Sequence, residues 1–443
     1  MIELKSGKMA ILNVSPASES TLLSLPDELF LEIIHWLKTL QLKTLSLVNS
    51  RCRSICQEVL FADVKITSTS WNPIIVELQR HLLISQLTGR PSLLSYTSTL
   101  SLRGPFHGYD VLNPPVMNED LFTILHACSE SLQVLSIDWL RVQKTAFTAA
   151  LPSLRFPKLE WLCVEEALVG PNVLTPDSFP SLRHLAAMCC ADMVVPRGLT
   201  TLQLGCENVF GEGHNGFLRK VIETNHDITS ITPFHTVNAP FSCVGMPGHF
   251  EMLSLITCNL TKLTTLSMPL SLECTETDEK IRYYTEYALI KQILEMMANL
   301  TSLCNLQFEF ASTIFDCELE LTIKHFNELF DCARGALQPL TNLNKLSIGI
   351  KKYSSNQDCS AEIMEERLLQ RVHVAEYAKT FRSLEYLCVK VEFYDRKLNG
   401  YARWDEGILC QIKRSGAGIV SFEEHDLESP AFFAFQKVFK GEW

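Results

Sequence analysis

Leu303-Cys304-Asn305-Leu306-Gln307-Phe308 returns as Leu343-Asn344-Lys345-Leu346-Ser347-Ile348 and again as Leu384-Glu385-Tyr386-Leu387-Cys388-Val389. The form is apolar-x-x-apolar-x-apolar. Its last two apolar residues stand two apart, the spacing of one face of a strand. Working outward, earlier copies are Leu132, Leu135, Ile137; Leu159, Leu162, Val164; Leu199, Leu202, Leu204; and Leu263, Leu266, Met268. Degraded copies stand at Leu100 with Leu102, Leu182 with Leu185, and Ile228 with Ile231. From Leu132 the first positions advance by 27, 23, 17, 29, 35, 40, 40 and 41 residues, an irregular period that lengthens toward the C-terminus. The longer spacers have room for helices. Helical periodicity is visible over Tyr287–Met297, through Leu289, Ile293 and Leu294, and over Glu366–Phe381, through Leu369, Val372 and Ala375.

A short strand followed by a helix, repeated and stacked on a shared leucine core, is the leucine-rich-repeat solenoid. The expected fold class is therefore α/β, with parallel strands inside and helices outside, over residues 96–429. The 65 leucines make up about 15% of the chain and fit such repetitive use. Residues between the apolar positions alternate onto the concave face. They are Val134, Ser136, Asp138; Trp161, Cys163, Glu165; His184, Ala186, Met188; Thr201, Gln203; Thr265, Ser267; Asn305, Gln307, Glu309; Lys345, Ser347; and Tyr386, Cys388, Lys390. Among these Asp138, Trp161, Glu165, His184, Met188, Gln307, Lys345 and Tyr386 are candidate target-binding residues, since aromatics and charges anchor interfaces. Gly104–Pro115, Asn172–Pro180 and Lys351–Cys359 read as loops from their Gly, Pro, Asn and Ser content. Residues 430–443 are expected to form a C-terminal tail.

Before the repeats, residues 22–65 form a different unit. Pro26 suits a first helical turn, Asp27 and Glu28 suit the positive end of a helix dipole, and Leu29, Ile33 and Leu37 repeat at four-residue spacing beside Phe30 and Ile34. Two shorter helices are expected at Leu40–Val48 and Arg51–Phe61. So small a unit cannot bury all its leucines internally, which implies a partner. The bland alternative is a cap on the end of the repeat array, although caps are polar outside and this segment is apolar on more than one side. Residues 1–21 are expected to be a flexible tail, and residues 66–95 a joint holding a helix at Ile74–Leu87.

Composition narrows the function. Hydrophobic residues are 47% and charged residues 20% of the chain, the balance of a folded globular protein. The formal charge of −11 has the wrong sign for neutralising phosphates, so nucleic acid is not an expected ligand. The first residues show no secretory core, no stretch approaches the length of a membrane span, and the sixteen cysteines are expected free in the cytosol or nucleus. Cys52 with Cys56, and the Cys189-Cys190 pair, lack the second pair or histidines of a zinc finger. The sequons at Asn259 and Asn299 lose their meaning in that compartment. Gly211, Gly213 and Gly216 spell GxGxxG, but six residues separate Leu204 from Gly211, and Asp227 comes too early for the ribose acid. HExxH and GxSxG are absent, and no constellation supports an enzyme, cofactor or metal.

Leu25, Pro26, Glu28, Leu29, the Ile33-Ile34 pair and Leu37, followed by Leu42, Leu45, Leu47, Val48, Asn49 and then Arg53, resemble the F-box motif. Leu60-Phe61-Ala62-Asp63-Val64 is similar to the end of F-boxes in fungal proteins with irregular leucine-rich repeats. Gln41 stands where an acidic residue is usual, and Cys52 where many members carry tryptophan. The repeats lack the asparagine usual three residues after the last leucine, where this chain has Leu140, Ala167, Cys190, Glu207, Ser271, Ala311, Lys351 and Glu392. The resemblance implies a non-catalytic substrate receptor of a cullin-RING (SCF-type) ubiquitin ligase. In that reading Leu25, Pro26, Glu28, Leu29, Ile33, Ile34, Leu37, Leu42, Leu45, Leu47 and Val48 dock the Skp adaptor, which joins a cullin, and the repeats hold a protein target. The alternative is a repeat scaffold with no ligase role.

Overall fold

Three helices come first among the described residues: α1 (Asp27–His35), α2 (Thr39–Leu45) and α3 (Ser50–Leu60). The computed structural model describes residues 25–66, 84–103, 118–138, 153–164, 174–187, 194–205, 215–234, 247–272, 279–312, 319–354, 371–395, 402–415 and 420–440. Pro26 sits at the N-cap of α1 and not in its first turn, its carbonyl accepting from the Phe30 N–H at 3.0 Å. The helix ends at His35, two residues earlier than the leucine spacing predicts. Gln41 does the work of the missing acid, because its Oε1 accepts from the Lys38 N–H at 2.8 Å and satisfies a donor at the start of α2. Asn49 caps α3, its Oδ1 accepting from the Cys52 N–H at 2.7 Å. Phe30 and Ile34, one turn apart on α1, close a small core with Leu42, Cys52, Ile55 and Cys56. Cys52 thus fills a fully buried place in that core. Arg51 ties α3 back to the start of α1, donating to Asp27 and to the Leu25 carbonyl and lying over the Phe30 ring at 5.7 Å.

The chain divides into two compact units, residues 1–63 and 64–443. The described strands are β1 (Asp63–Ile66), β2 (Thr99–Arg103), β3 (Val134–Asp138), β4 (Trp161–Val164), β5 (His184–Ala187), β6 (Thr201–Gly205), β7 (Ser230–Phe234), β8 (Thr265–Leu272), β9 (Asn305–Ser312), β10 (Lys345–Ser354), β11 (Tyr386–Asp395), β12 (Ala402–Arg414) and β13 (Val420–Asp426). They lie side by side in sequence order in one sheet. Pairing is parallel from β2 through β11 and antiparallel at the last two steps. The repeats stay in register: Leu135, Leu162, Leu185, Leu202, Ile231, Leu266, Leu306, Leu346 and Leu387 form one row of buried side chains. Lys351–Ser354, read as loop, continue β10.

Helices line the leucine face of the sheet: α4 (Asn118–Cys128), α5 (Asn215–Thr224), α6 (Pro247–Asn259), α7 (Glu279–Met297), α8 (Leu319–Ala336) and α9 (Arg371–Thr380). Side chains such as Leu125, Val221, Leu253, Ile293, Phe330 and Tyr377 join the strand leucines in one continuous core. Gly216 of the GxGxxG pattern belongs to α5, while Gly211 and Gly213 lie outside the described residues, as does most of the helix expected at Ile74–Leu87.

A main-chain ladder runs along the strand starts. The carbonyls of Ser98, Gln133, Glu160, Arg183, Thr200, Thr229, Thr264, Cys304 and Asn344 each accept from two successive N–H groups of the next repeat. A side-chain ladder accompanies it. Ser131, Ser181, Ser302 and Ser383, each just before a repeat's first leucine, donate to the carbonyls of Thr97, Pro157, Thr261 and Thr341 in the repeat before. Asn342 does the same to Thr301. These bonds satisfy turn carbonyls ahead of each strand, at the opposite end from the positions where the usual asparagine is missing. Asn225 is the buried counterpart. Its Oδ1 accepts from the Leu199 N–H at 2.9 Å and its Nδ2 donates to the Pro196 and Val221 carbonyls, both at 3.0 Å. Asn225→Ala strands buried main-chain groups, so urea unfolding of the variant is expected to show a loss of about 3 kcal/mol.

The other face carries α10 (Pro430–Lys440), in the stretch read as a tail. Ser429 caps it, its Oγ accepting from the Phe432 N–H at 3.2 Å, and Pro430 takes the first helical position, where no amide donor is needed. The helix lies against β7, β8, β9 and β13.

Candidate functional site

Two surfaces carry the candidate residues, one in each unit. In the first, α1 is apolar over more than half its circumference and its own core takes only one stripe. Phe30 and Ile34 point inward, while Leu29 and Ile33, one residue earlier on the same turns, stay exposed. Trp36 follows at 89% exposure and Leu40 at 76%. Leu47 and Val48, in the turn held by Leu47 N–H to Thr44 O and Val48 N–H to Leu45 O, are also exposed. Six of the ten large exposed hydrophobics among the described residues therefore fall between residues 29 and 48. Such a concentration marks an interaction site, whereas isolated exposed leucines would not.

This divides the eleven adaptor-docking candidates. Pro26, Glu28, Leu29, Ile33, Leu47 and Val48 are at the surface and Leu25 is half-buried. Ile34 and Leu42 are inside, and Leu37 and Leu45 pack partly against the same core, so these four build the helices. Trp36 and Leu40 belong to the surface set although the motif did not single them out. The signal for them is that Trp36 falls outside the inward phase set by Phe30 and Ile34, and Leu40 lies two residues, about 200° around the helix, from the buried Leu42 of α2.

In the second unit the residues between the leucines form rows on the opposite face of the sheet. One row runs Val134, Trp161, His184, Thr201, Ser230, Thr265, Asn305, Lys345, Tyr386 and Gln411. Trp161 stacks on His184 with ring centroids 4.9 Å apart. Burial lowers the His184 pKa, outweighing the pull of Glu160, and its Nδ1 has no partner among the described residues. The Lys345 ammonium lies 5.8 Å over the Tyr386 ring, and desolvation lowers its pKa too. The Tyr386 hydroxyl accepts from Gln411 Nε2 at 3.1 Å.

Not every target-binding candidate is within reach of a partner. Gln307 is only 4% exposed, its Nε2 donating to Glu309 Oε1 at 3.2 Å. Tyr386 packs against the Phe435 ring of α10 at 6.1 Å. Gln307 is covered where α10 crosses β9, whereas Tyr386, packed on one side by Phe435, keeps part of its surface exposed. Trp161, His184 and Lys345 are half-buried. Asp138 ends β3 in register with Arg103, and Glu165 and Met188 lie outside the described residues.

Among the described residues no group of His, Cys, Asp and Glu is arranged to hold a metal, and no helix is long and apolar enough to cross a membrane. Burial pushes the Cys128, Cys388 and Cys410 thiols up to about 12, the behaviour of inert core groups. No curated protein matches the chain. Residues 22–62 match the family model of the F-box domain, so the three helices that carry the apolar patch are an F-box.

Proposed function

We propose that this chain is a substrate receptor of an SCF-type cullin-RING ubiquitin ligase. The apolar patch of the F-box docks the Skp adaptor, the adaptor joins the cullin, and the second unit holds a protein target. The chain itself performs no chemistry. It raises the effective concentration of a target lysine near the charged ubiquitin-conjugating enzyme, which is catalysis by proximity. The observation that carries this reading is the exposed set Leu29, Ile33, Trp36, Leu40, Leu47 and Val48 on a matched F-box. A cap for the repeat array would not need it, which disfavours the scaffold reading.

The second unit is read as a leucine-rich-repeat solenoid. The in-register leucine row, the repeated double acceptance at each strand start and the serine ladder support it. So does the span of α10. Eleven residues make a helix about 16 Å long, whereas β7 and β13 are six strand spacings, about 29 Å, apart on a flat sheet. A sheet curved around α10 brings both within reach of it, with the leucine face outside the curve and the polar rows inside.

Co-expression of the full chain with the Skp adaptor and a cullin, followed by purification on a cullin tag, tests the proposal. A stable complex containing all three is expected. A folded chain that elutes alone would overturn it and leave a repeat scaffold.

A further inference from the structure

We propose that the inner face of the sheet from β7 to β12 receives an amphipathic helix with apolar side chains at i, i+3 and i+7, and that α10 occupies this face in place of such a helix on a target. The inference rests on the target-binding half of the proposed function and not on adaptor docking.

Phe432, Phe435 and Phe439 stand at that spacing along one side of α10, with neighbouring rings 6.4 and 5.2 Å apart, and all three are buried. Phe433, on the other side, is 56% exposed. The three rings close a cluster with Cys388 and Leu409 that is separate from the leucine core on the opposite face of the sheet. Removal of α10 therefore opens no part of the main core. The strands it crosses present polar side chains on this face: Thr232, Ser267 and Gln307 are each buried, and the Thr232 Oγ1 has no partner among the described residues. Gln307 is satisfied by Glu309, but the Thr232 hydroxyl is buried under the helix without a partner among the described residues, a cost that water or a different occupant would relieve. An eleven-residue helix is marginal by itself, so α10 is ordered by this seat and melts when it leaves. Seating an apolar helix face in a groove is a common recognition mode, and α10 defines the pattern a competing helix must show.

The fold supplies its own probe. Cys388 and Cys410 lie on neighbouring strands, paired with Leu409 and Leu387 respectively, and face opposite sides of the sheet. Cys388 belongs to the cluster under α10, and Cys410 to the leucine core. The native full chain is treated with iodoacetamide and the modified cysteines are mapped by mass spectrometry. Burial pushes both thiols far above the usual cysteine range, so neither reacts where it sits and each reports the opening of its own cover. Cys388 is expected to react roughly tenfold or more faster than Cys410, through local release of α10. Equal rates would mean that α10 leaves only when the sheet unfolds, and would overturn the proposal. Phe435→Asp should raise the Cys388 rate further without moving Cys410, and a joint rise would likewise overturn it. A peptide of residues 427–443, added in excess to that variant, is expected to restore protection of Cys388, whereas the same peptide carrying Phe435→Asp is not. Failure of the unmodified peptide would sink the receiving surface itself. None of these readouts involves the adaptor, so the two proposals fail separately.

Discussion

Leu29→Asp combined with Leu47→Asp is expected to lower the affinity of the full chain for the Skp adaptor by more than about 100-fold while leaving its melting temperature within about 2 °C of the parent. Both side chains are exposed, so their loss removes little folding energy. In a complex each would leave water, and a buried leucine contributes about 2 kcal/mol through its apolar area. Two such losses alone approach 1000-fold, and a carboxylate forced into an apolar interface adds a desolvation cost. Isothermal titration with the purified adaptor measures the affinity, and thermal unfolding followed by circular dichroism measures the fold. Ile34→Asp is the contrasting variant. It buries a charge in the six-residue core of the F-box, so loss of binding and loss of helix should occur together. Unchanged affinity in the double variant would place the docking surface elsewhere.

Leu306→Ala should destabilise the second unit by about 3 kcal/mol, the usual range for emptying a leucine site in a core that cannot fully collapse. Leu306 is completely buried on β9, in register with Leu266 on β8 and Leu346 on β10. Leu306 packs between the neighbouring strands β8 and β10 of one sheet, so a cavity there weakens the contacts on both sides. The shift is read from urea unfolding monitored by circular dichroism. A change under about 1 kcal/mol would mean that this row does not carry the core.

Much of the sheet was legible because burial on a strand alternates with period two, and the triplets Leu303-Leu306-Phe308 and Leu343-Leu346-Ile348 display that period without interruption. The core also reaches one step further back, to Phe156, Phe179, Leu260, Leu300, Leu340 and Phe381, whose carbonyls accept from the first leucine N–H of the following triplet. That position is Phe in three copies and Leu in three, and the variable spacers hide it. The asparagine usual after the last leucine is absent, and Ser131, Ser181, Ser302 and Ser383 form a separate ladder from before the first leucine. A hydroxyl there satisfies a turn carbonyl, and no local pattern distinguishes it from an ordinary polar residue.

The F-box helices show a different limit. Leu29 and Phe30 differ by 100° around a nine-residue helix that is apolar on both stripes, so spacing alone could not tell the inward stripe from the outward one. The motif therefore names Ile34 and Leu42, which are buried, and does not name Trp36 and Leu40, which are exposed. The start of α10 was in principle readable, since Ser429-Pro430 is a capping residue followed by a favoured first helical residue, with phenylalanines at i, i+3 and i+7 beyond it. Its destination was not readable, because the face it seats on carries Ser, Thr and Gln and looks solvated from sequence.

The most direct test of the account is hydrogen exchange of the full chain with and without saturating Skp adaptor. Slowed exchange is expected to concentrate in α1, α2 and the turn through Val48, with the amides of β8 to β11 unaffected. Binding without protection of residues 27–48, or protection confined to the sheet, would contradict it.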